Sequence, residues 1–329
     1  MRLTLLATGG TIACTPTEHG LAPTLTAADL LAPLAASLPC EVIPRDVFLM
    51  DSSNMQPEEW CTLAAAVDDA LSQTDGVVIT HGTDTMAYTA SALSFMLAGV
   101  SKPVILTGSQ LPLHHPLTDA LGNLRRAIVA AMQGVGGVYV SFDYKLITGV
   151  HCVKTHTTAM DAFSSINAPL AGYFDVEGVH FTHPQGYRPV PELGDGYGLR
   201  NRLDPRVFLL KLVPGTSPDV FRFVREAGYR GLVIEAFGLG GLHYIRRNLV
   251  AALQELAESG VYVLVVSQCL HEKADLTLYE VGRGMVREHV HSGRDMTTEA
   301  AVTKLMWALA QEHTTELLSK PIVGEMAGA

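Results

Sequence analysis

No apolar run in this 329-residue chain approaches the roughly 20 residues needed to cross a bilayer, so no membrane span is expected. Basic runs are missing as well: 23 Lys and Arg stand against 33 Asp and Glu, for a formal charge of −10. A protein that grips nucleic acid through its phosphates needs the opposite balance, so the expected partner is a small molecule. The five cysteines (Cys14, Cys40, Cys61, Cys152 and Cys269) are odd in number, far apart and without a C-x-x-C pair. They supply neither a disulfide framework nor a zinc site, and buried free thiols are the expectation. His114–His115, and His151 with His156, have no acid or third histidine at ligand spacing, so no metal is expected. Between Met1 and the first strand stands a single arginine, which leaves no room for a secretory leader and predicts a cytoplasmic protein.

What is present is a large apolar complement, 48% hydrophobic residues against 17% charged, ample for a packed core. The first half alternates short apolar runs with helical spacing, the pattern of stacked βαβ units around a mostly parallel sheet. Strands are expected near 2–7, 77–80, 104–107 and 138–142, with helices over 57–71 and 85–97. The second helix is so apolar that it must be buried or lie at a subunit contact. Between Gly186 and Asp204 the chain turns rich in Pro, Gly and polar residues without periodicity, which marks a linker. Beyond it come strands at 207–213, 231–236 and 261–267, and helices after Ser217-Pro218, at 246–258 and near 297–311. The fold expected is α/β, a larger N-terminal mostly parallel-sheet domain (1–188), a linker (189–204) and a smaller C-terminal α/β domain (205–329).

Two threonines sit in Gly-Thr turns directly after apolar runs: Thr11 in Ala7-Thr8-Gly9-Gly10-Thr11-Ile12 and Thr83 in Thr80-His81-Gly82-Thr83-Asp84-Thr85. Both hydroxyls then fall at the carboxyl ends of buried strands, where open α/β sheets place ligands. A threonine hydroxyl becomes a nucleophile only beside a proton acceptor. Lys154, in a polar segment after the strand at 138–142, is the candidate, with Asp84 completing a hydroxyl–amine–carboxylate relay. A third polar turn, Asp51-Ser52-Ser53-Asn54, follows Val47-Phe48-Leu49 and offers hydroxyls and backbone donors to a carboxylate. A plain alternative is that these are strand-to-helix turns whose Thr and Asp cap the next helix. His81, beside Thr83, is read as a structural, hydrogen-bonded residue rather than a general base.

Taken with Ala87-Tyr88-Thr89-Ala90-Ser91-Ala92-Leu93-Ser94-Phe95-Met96-Leu97 and Lys102-Pro103-Val104-Ile105-Leu106-Thr107-Gly108-Ser109-Gln110, these stretches resemble the bacterial type I, cytoplasmic L-asparaginases of the asparaginase/glutaminase family over nearly the whole chain. The resemblance implies that Thr11 attacks the side-chain amide carbon to form an acyl-enzyme. It implies that Thr83, activated by Lys154 and Asp84, is the second catalytic threonine, with the step belonging to each left open. Asp51, Ser52 and Ser53 would hold the substrate α-carboxylate, Asp84 its α-ammonium group, and backbone donors near Thr83 and Ser109 the oxyanion. It further implies a homodimer or homotetramer, no cofactor, and L-asparagine as substrate, with no nucleic acid or membrane partner.

The chain departs from the family pattern at two places. Leu21 stands where members commonly carry a loop tyrosine, and Gly241 where they often carry a polar residue. The positions matching an allosteric site in some type I members, Val153, Glu235 and Cys269, put an acid in the middle, so allosteric control is not carried over. The rival readings are an amino-acid-binding or regulatory protein with weakened catalysis, an amidase for glutamine or another small ω-amide, and an amidase acting on a charged RNA.

Overall fold

The computed structural model describes residues 1–182, 197–278 and 288–327. The chain divides into two compact units, Met1–Asn201 and Arg202–Ala329. Of the linker expected at 189–204, residues 189–196 lie outside the described residues, while the Asp204 amide donates to Met306 O inside the second unit.

In the first unit β1 (Arg2–Gly9) leads into a hairpin, β2 (Cys14–Thr17) with β3 (Gly20–Pro23). It continues through helix α1 (Ala27–Leu31), β4 (Glu41–Met50), α2 (Pro57–Gln73), β5 (Gly76–Thr80), α3 (Met86–Met96), β6 (Pro103–Thr107), α4 (Ala120–Ala131) and β7 (Gly137–Phe142). Then come β8 (Lys145–Thr148), the pair β9 (Cys152–Lys154) and β10 (Phe163–Ser165), and a second hairpin, β11 (Gly172–Asp175) with β12 (Gly178–Phe181). The main sheet has eight strands in the order β12-β11-β8-β7-β6-β5-β1-β4, parallel from β7 to β4 and antiparallel beyond.

The four strands expected from continuous apolar runs are β1, β5, β6 and β7, and β5 to β7 are buried at every residue. That is what a parallel strand covered on both faces requires. One face packs α1 and α4 through Leu30, Leu31, Leu124 and Ile128 against Leu3, Leu5, Val78 and Ile105. Helix α3 is buried at ten of its eleven positions, all but Tyr88, within the chain itself.

The second unit is a four-stranded parallel sheet, β13 (Val207–Lys211), β14 (Gly231–Ala236), β15 (Tyr262–Ser267) and β16 (Val290–Ser292), in that order. Helices α5 (Asp219–Glu226), α6 (Leu249–Glu258), α7 (Thr298–Ala308) and α8 (Thr314–Ser319) accompany it. Its core joins Phe221, Val224, Leu253 and Leu256 to Leu232, Ile234, Val263 and Val265. The α/β class, with a larger mostly parallel first unit and a smaller second one, is therefore as the sequence indicates. Among the described residues no helix is long and apolar enough to cross a membrane.

Candidate active site

Parallel strands end at the same edge, so the turns after β1, β4, β5 and β6 meet there. Gly9 pairs with Met50, Ala7 with Thr80, and Thr80 with Thr107. Gly10 has a φ of 76°, and a Cβ at Gly10 would collide with the Gly82 amide nitrogen and Cα, so the two Gly-Thr turns touch through glycine. A Cβ at Gly82 would in turn lie 2.5 Å from Ser52 Oγ, and Thr85 Oγ1 donates to Ser52 O at 2.8 Å. The three turns marked in the sequence are thus one contiguous surface, and bare backbone is what lets them close.

Thr11, half-buried, opens a one-turn 3-10 helix, Thr11–Ala13. Thr83 is buried, and Lys154 reaches it from the end of β9. The Lys154 ammonium donates to Thr83 Oγ1 at 2.9 Å and to Asp84 Oδ1 at 2.6 Å. The lysine side chain is 18% exposed and the aspartate 65%. A carboxylate facing water on one side thus fixes an amine pressed against a buried hydroxyl, an arrangement suited to moving a proton between lysine and threonine.

The Asp51 carboxylate accepts from the Ser53 hydroxyl at 2.7 Å and the Ser53 amide at 2.9 Å, and these bonds hold its pKa below the usual carboxylate range. Asp51 is therefore an anion at neutral pH. The expectation that it receives a carboxylate meets a charge conflict: its chemistry suits an ammonium group. Ser52 is buried against Gly82, and the buried Ser109 hydroxyl donates to Leu111 O at 2.5 Å.

Two residues that sequence reasoning passed over belong to this site. Gln110 Oε1 accepts from Thr83 Oγ1 at 3.4 Å, and the Asp119 carboxylate accepts from the Gln110 amide at 3.0 and 3.1 Å. The usable signal is the polar turn Gly108-Ser109-Gln110 directly after an apolar strand, in the same register as the two Gly-Thr turns.

His81 is fully buried, its Nδ1 2.7 Å from Gly82 O and its Nε2 2.9 Å from Thr89 Oγ1. Trp60 Nε1 donates to the same Thr89 oxygen at 2.9 Å. The partners fix the tautomer: Nδ1 carries the proton for Gly82 O, and Nε2 accepts from Thr89. Burial pushes this histidine down to about 4, and with both nitrogens engaged it braces the Gly82–Thr83 turn. An unfolded histidine titrates near 6.5, so between pH 6.5 and about 4 the unfolded chain takes up a proton that the folded one refuses. His81 therefore contributes a stability loss on acidification across that window of about 3 kcal/mol. Urea unfolding at pH 7, 6, 5 and 4 should show a slope that shrinks in His81→Gln, and an unchanged slope would contradict the assignment.

Leu21 is 60% exposed on the β2–β3 hairpin, paired with Pro16. In the second unit Gly241 is exposed in a turn closed on Phe237, and Glu235 is engaged by Lys211 and Thr298. Among the described residues no cluster of three or more His, Cys, Asp or Glu could hold a metal ion.

A hydroxyl, an amine and a carboxylate bonded together at the strand ends of an α/β sheet mark the class, an enzyme. Residues 2–186 match the family described as "Asparaginase, N-terminal", and residues 206–320 match "Glutaminase/Asparaginase C-terminal domain". The chain is 42% identical to the L-asparaginase of Thermococcus kodakarensis over the full length of both proteins, and the solved structure of that enzyme matches with a TM-score of 0.91. L-asparaginase I from Vibrio cholerae matches with a TM-score of 0.87 at 31% identity, covering 99% of each chain. A component of the glutamyl-tRNA(Gln) amidotransferase of Archaeoglobus fulgidus is 37% identical, covering 98% of this chain and 78% of that protein. This chain belongs to the asparaginase/glutaminase family.

Proposed function

We propose that the protein hydrolyses L-asparagine to L-aspartate and ammonia through a threonyl ester. The observation that carries this reading is the Lys154 ammonium poised at 2.9 Å from Thr83 Oγ1 and 2.6 Å from Asp84. With Lys154 as the neutral amine, Thr11 Oγ1 attacks the side-chain amide carbon and its proton passes through the Thr83 hydroxyl to the Lys154 nitrogen. The C–N bond breaks, the nitrogen leaves as ammonia with that proton, and water then cleaves the ester to regenerate Thr11. Backbone donors near Thr83 and Ser109 steady the oxyanion of each tetrahedral intermediate. Asp51 and Asp84, both carboxylates, take the substrate ammonium group, and the Ser52 turn takes its α-carboxylate. Cysteines spaced without a disulfide framework suit a reducing, cytoplasmic setting. Assembly as a homodimer or homotetramer belongs to the same reading.

The test is ammonia release from L-asparagine, L-glutamine and D-asparagine by the purified chain beside Thr11→Ala and Thr83→Ala. L-asparagine should be the preferred substrate, with each variant lowered by orders of magnitude. Calorimetric binding of L-asparagine without ammonia release by any sample would instead mark an amino-acid sensor.

A further inference from the structure

The turn Gly108–Leu111 is gripped from the start of α4. The Asp119 carboxylate accepts from the amides of Gln110 and Leu111, the latter at 3.1 Å, and from Asn123 Nδ2 at 3.0 Å. Asn123, itself buried, also donates to Gly108 O at 3.0 Å, and its Oδ1 accepts from Arg126 and from the Asp143 amide. From this anchored backbone the Gln110 side chain reaches two elements that no sequence pattern links. Its Nε2 donates to Thr157 O at 3.1 Å and Ala159 O at 2.9 Å, in the segment that follows Lys154. Its Oε1 faces Thr83 Oγ1 at 3.4 Å.

The orientation of this amide is dictated by its partners. Two carbonyl oxygens require the NH₂ end, so the oxygen must be the end that meets Thr83. Gln110 Oε1 can only accept. A charged Lys154 occupies the Thr83 oxygen as donor, so the Thr83 proton is directed to Gln110. Once Lys154 is neutral that proton turns toward the lysine, and the Gln110 bond is given up.

Resting on the proposed Thr83–Lys154 relay, we propose that Gln110 is a positioning residue of this site. It ties the Thr83 hydroxyl to the Lys154-bearing segment and holds the hydroxyl proton until Lys154 is free to accept it, while Asp119 fixes Gln110 in place. The charged and titratable residues on the elements joined by these bonds include Lys154 with Asp84, Asp119 behind the turn, Arg126 and Asp143 on Asn123, the Lys145–Asp161 ion pair, and His156 beside Thr155. None of these competes for the Gln110 oxygen.

The experiment measures kcat and KM for L-asparagine, with a thermal melt on the same samples, for the wild type, Gln110→Met, Gln110→Glu, Asp119→Ala and Asp119→Asn. Misalignment of a relay by a fraction of an ångström costs on the order of 10- to 100-fold. Gln110→Met should lower kcat by that factor with KM within about threefold. Gln110→Glu, which keeps an acceptor oxygen for Thr83 but loses both donor bonds to Thr157 O and Ala159 O, should fall between Gln110→Met and the wild type. Asp119→Asn, which retains one oxygen for the backbone amides, should recover part of what Asp119→Ala loses. Wild-type kcat in Gln110→Met would overturn the proposal, even if that variant melts earlier. Turnover retained in Lys154→Met would remove the relay itself, and this inference with it. An inactive Lys154→Met beside an unaltered Gln110→Met would sink the inference alone.

Discussion

Lys154→Met should lower kcat for asparagine hydrolysis by about three orders of magnitude, the upper part of the range for removing a general acid–base group, while KM and the melting temperature change little. Methionine keeps the length and much of the volume of the lysine stem and removes only the ammonium that bridges Thr83 and Asp84. The pair it makes with Asp84 is open to water on the aspartate side, and such pairs contribute about 0–1 kcal/mol. Loss of rate without loss of fold is therefore the signature of a chemical role. Steady-state kinetics with a thermal melt on the same sample separates the two. A variant that retains more than about a tenth of the rate would place proton transfer elsewhere.

The second large effect is on stability and lies in the second unit. Lys304 on α7 and Glu325 near the end of the chain are both fully buried and form an ion pair at 2.5 Å. The lysine also donates to Lys320 O at 2.6 Å, and the carboxylate accepts from the amides of Ile322 and Val323 at 2.8 to 3.0 Å. Burial drives the Lys304 pKa down and the Glu325 carboxylate pulls against it. Glu325→Ala leaves a charge without its counter-ion and two amides without an acceptor. The expected loss is about 3–5 kcal/mol. Lys304→Met paired with Glu325→Gln removes both charges at once and should cost clearly less than Glu325→Ala, because no bare ion is left in the interior. Urea unfolding of the two variants tests this. Similar losses below about 1 kcal/mol would show that the pair is hydrated and not buried in solution.

The contrast between these two lysines shows what a sequence discloses. β5, β6 and β7 can be read because a strand buried on both faces is an uninterrupted apolar run, and α3 because it is apolar around its whole circumference. β4 cannot be delimited: it is an edge strand carrying Pro44, Arg45 and Asp46, and its outward positions follow no core pattern. The β2–β3 and β11–β12 hairpins have strands of only four residues, too short for an alternation to stand out, and the amphipathic α4 is not marked by a continuous apolar run.

In the site, the Gly-Thr turns are visible because only glycine permits turns to approach as closely as Gly10 and Gly82 do. Lys154 can be suggested from its polar segment, but its meeting with Thr83, 71 residues away, depends on the antiparallel return through β8 and β9. The turn carrying Gln110 is marked by its polar residues after an apolar strand, but its bonds to Thr157 O and Ala159 O, and those of Asp119 to two amides, are to backbone groups that look alike in any sequence. For Asp51 we propose an ammonium-binding role in place of the implied one, because a polar turn reads as a donor surface until the sign of its charge is weighed.

The most direct measurement is the intact mass and peptide map of the enzyme quenched in acid within milliseconds of mixing with L-asparagine. An aspartyl ester on Thr11, absent from Thr11→Ala, is the result expected. Rapid ammonia release with Thr11 unmodified, or with the ester on another residue, would contradict the assignment of Thr11 as the nucleophile.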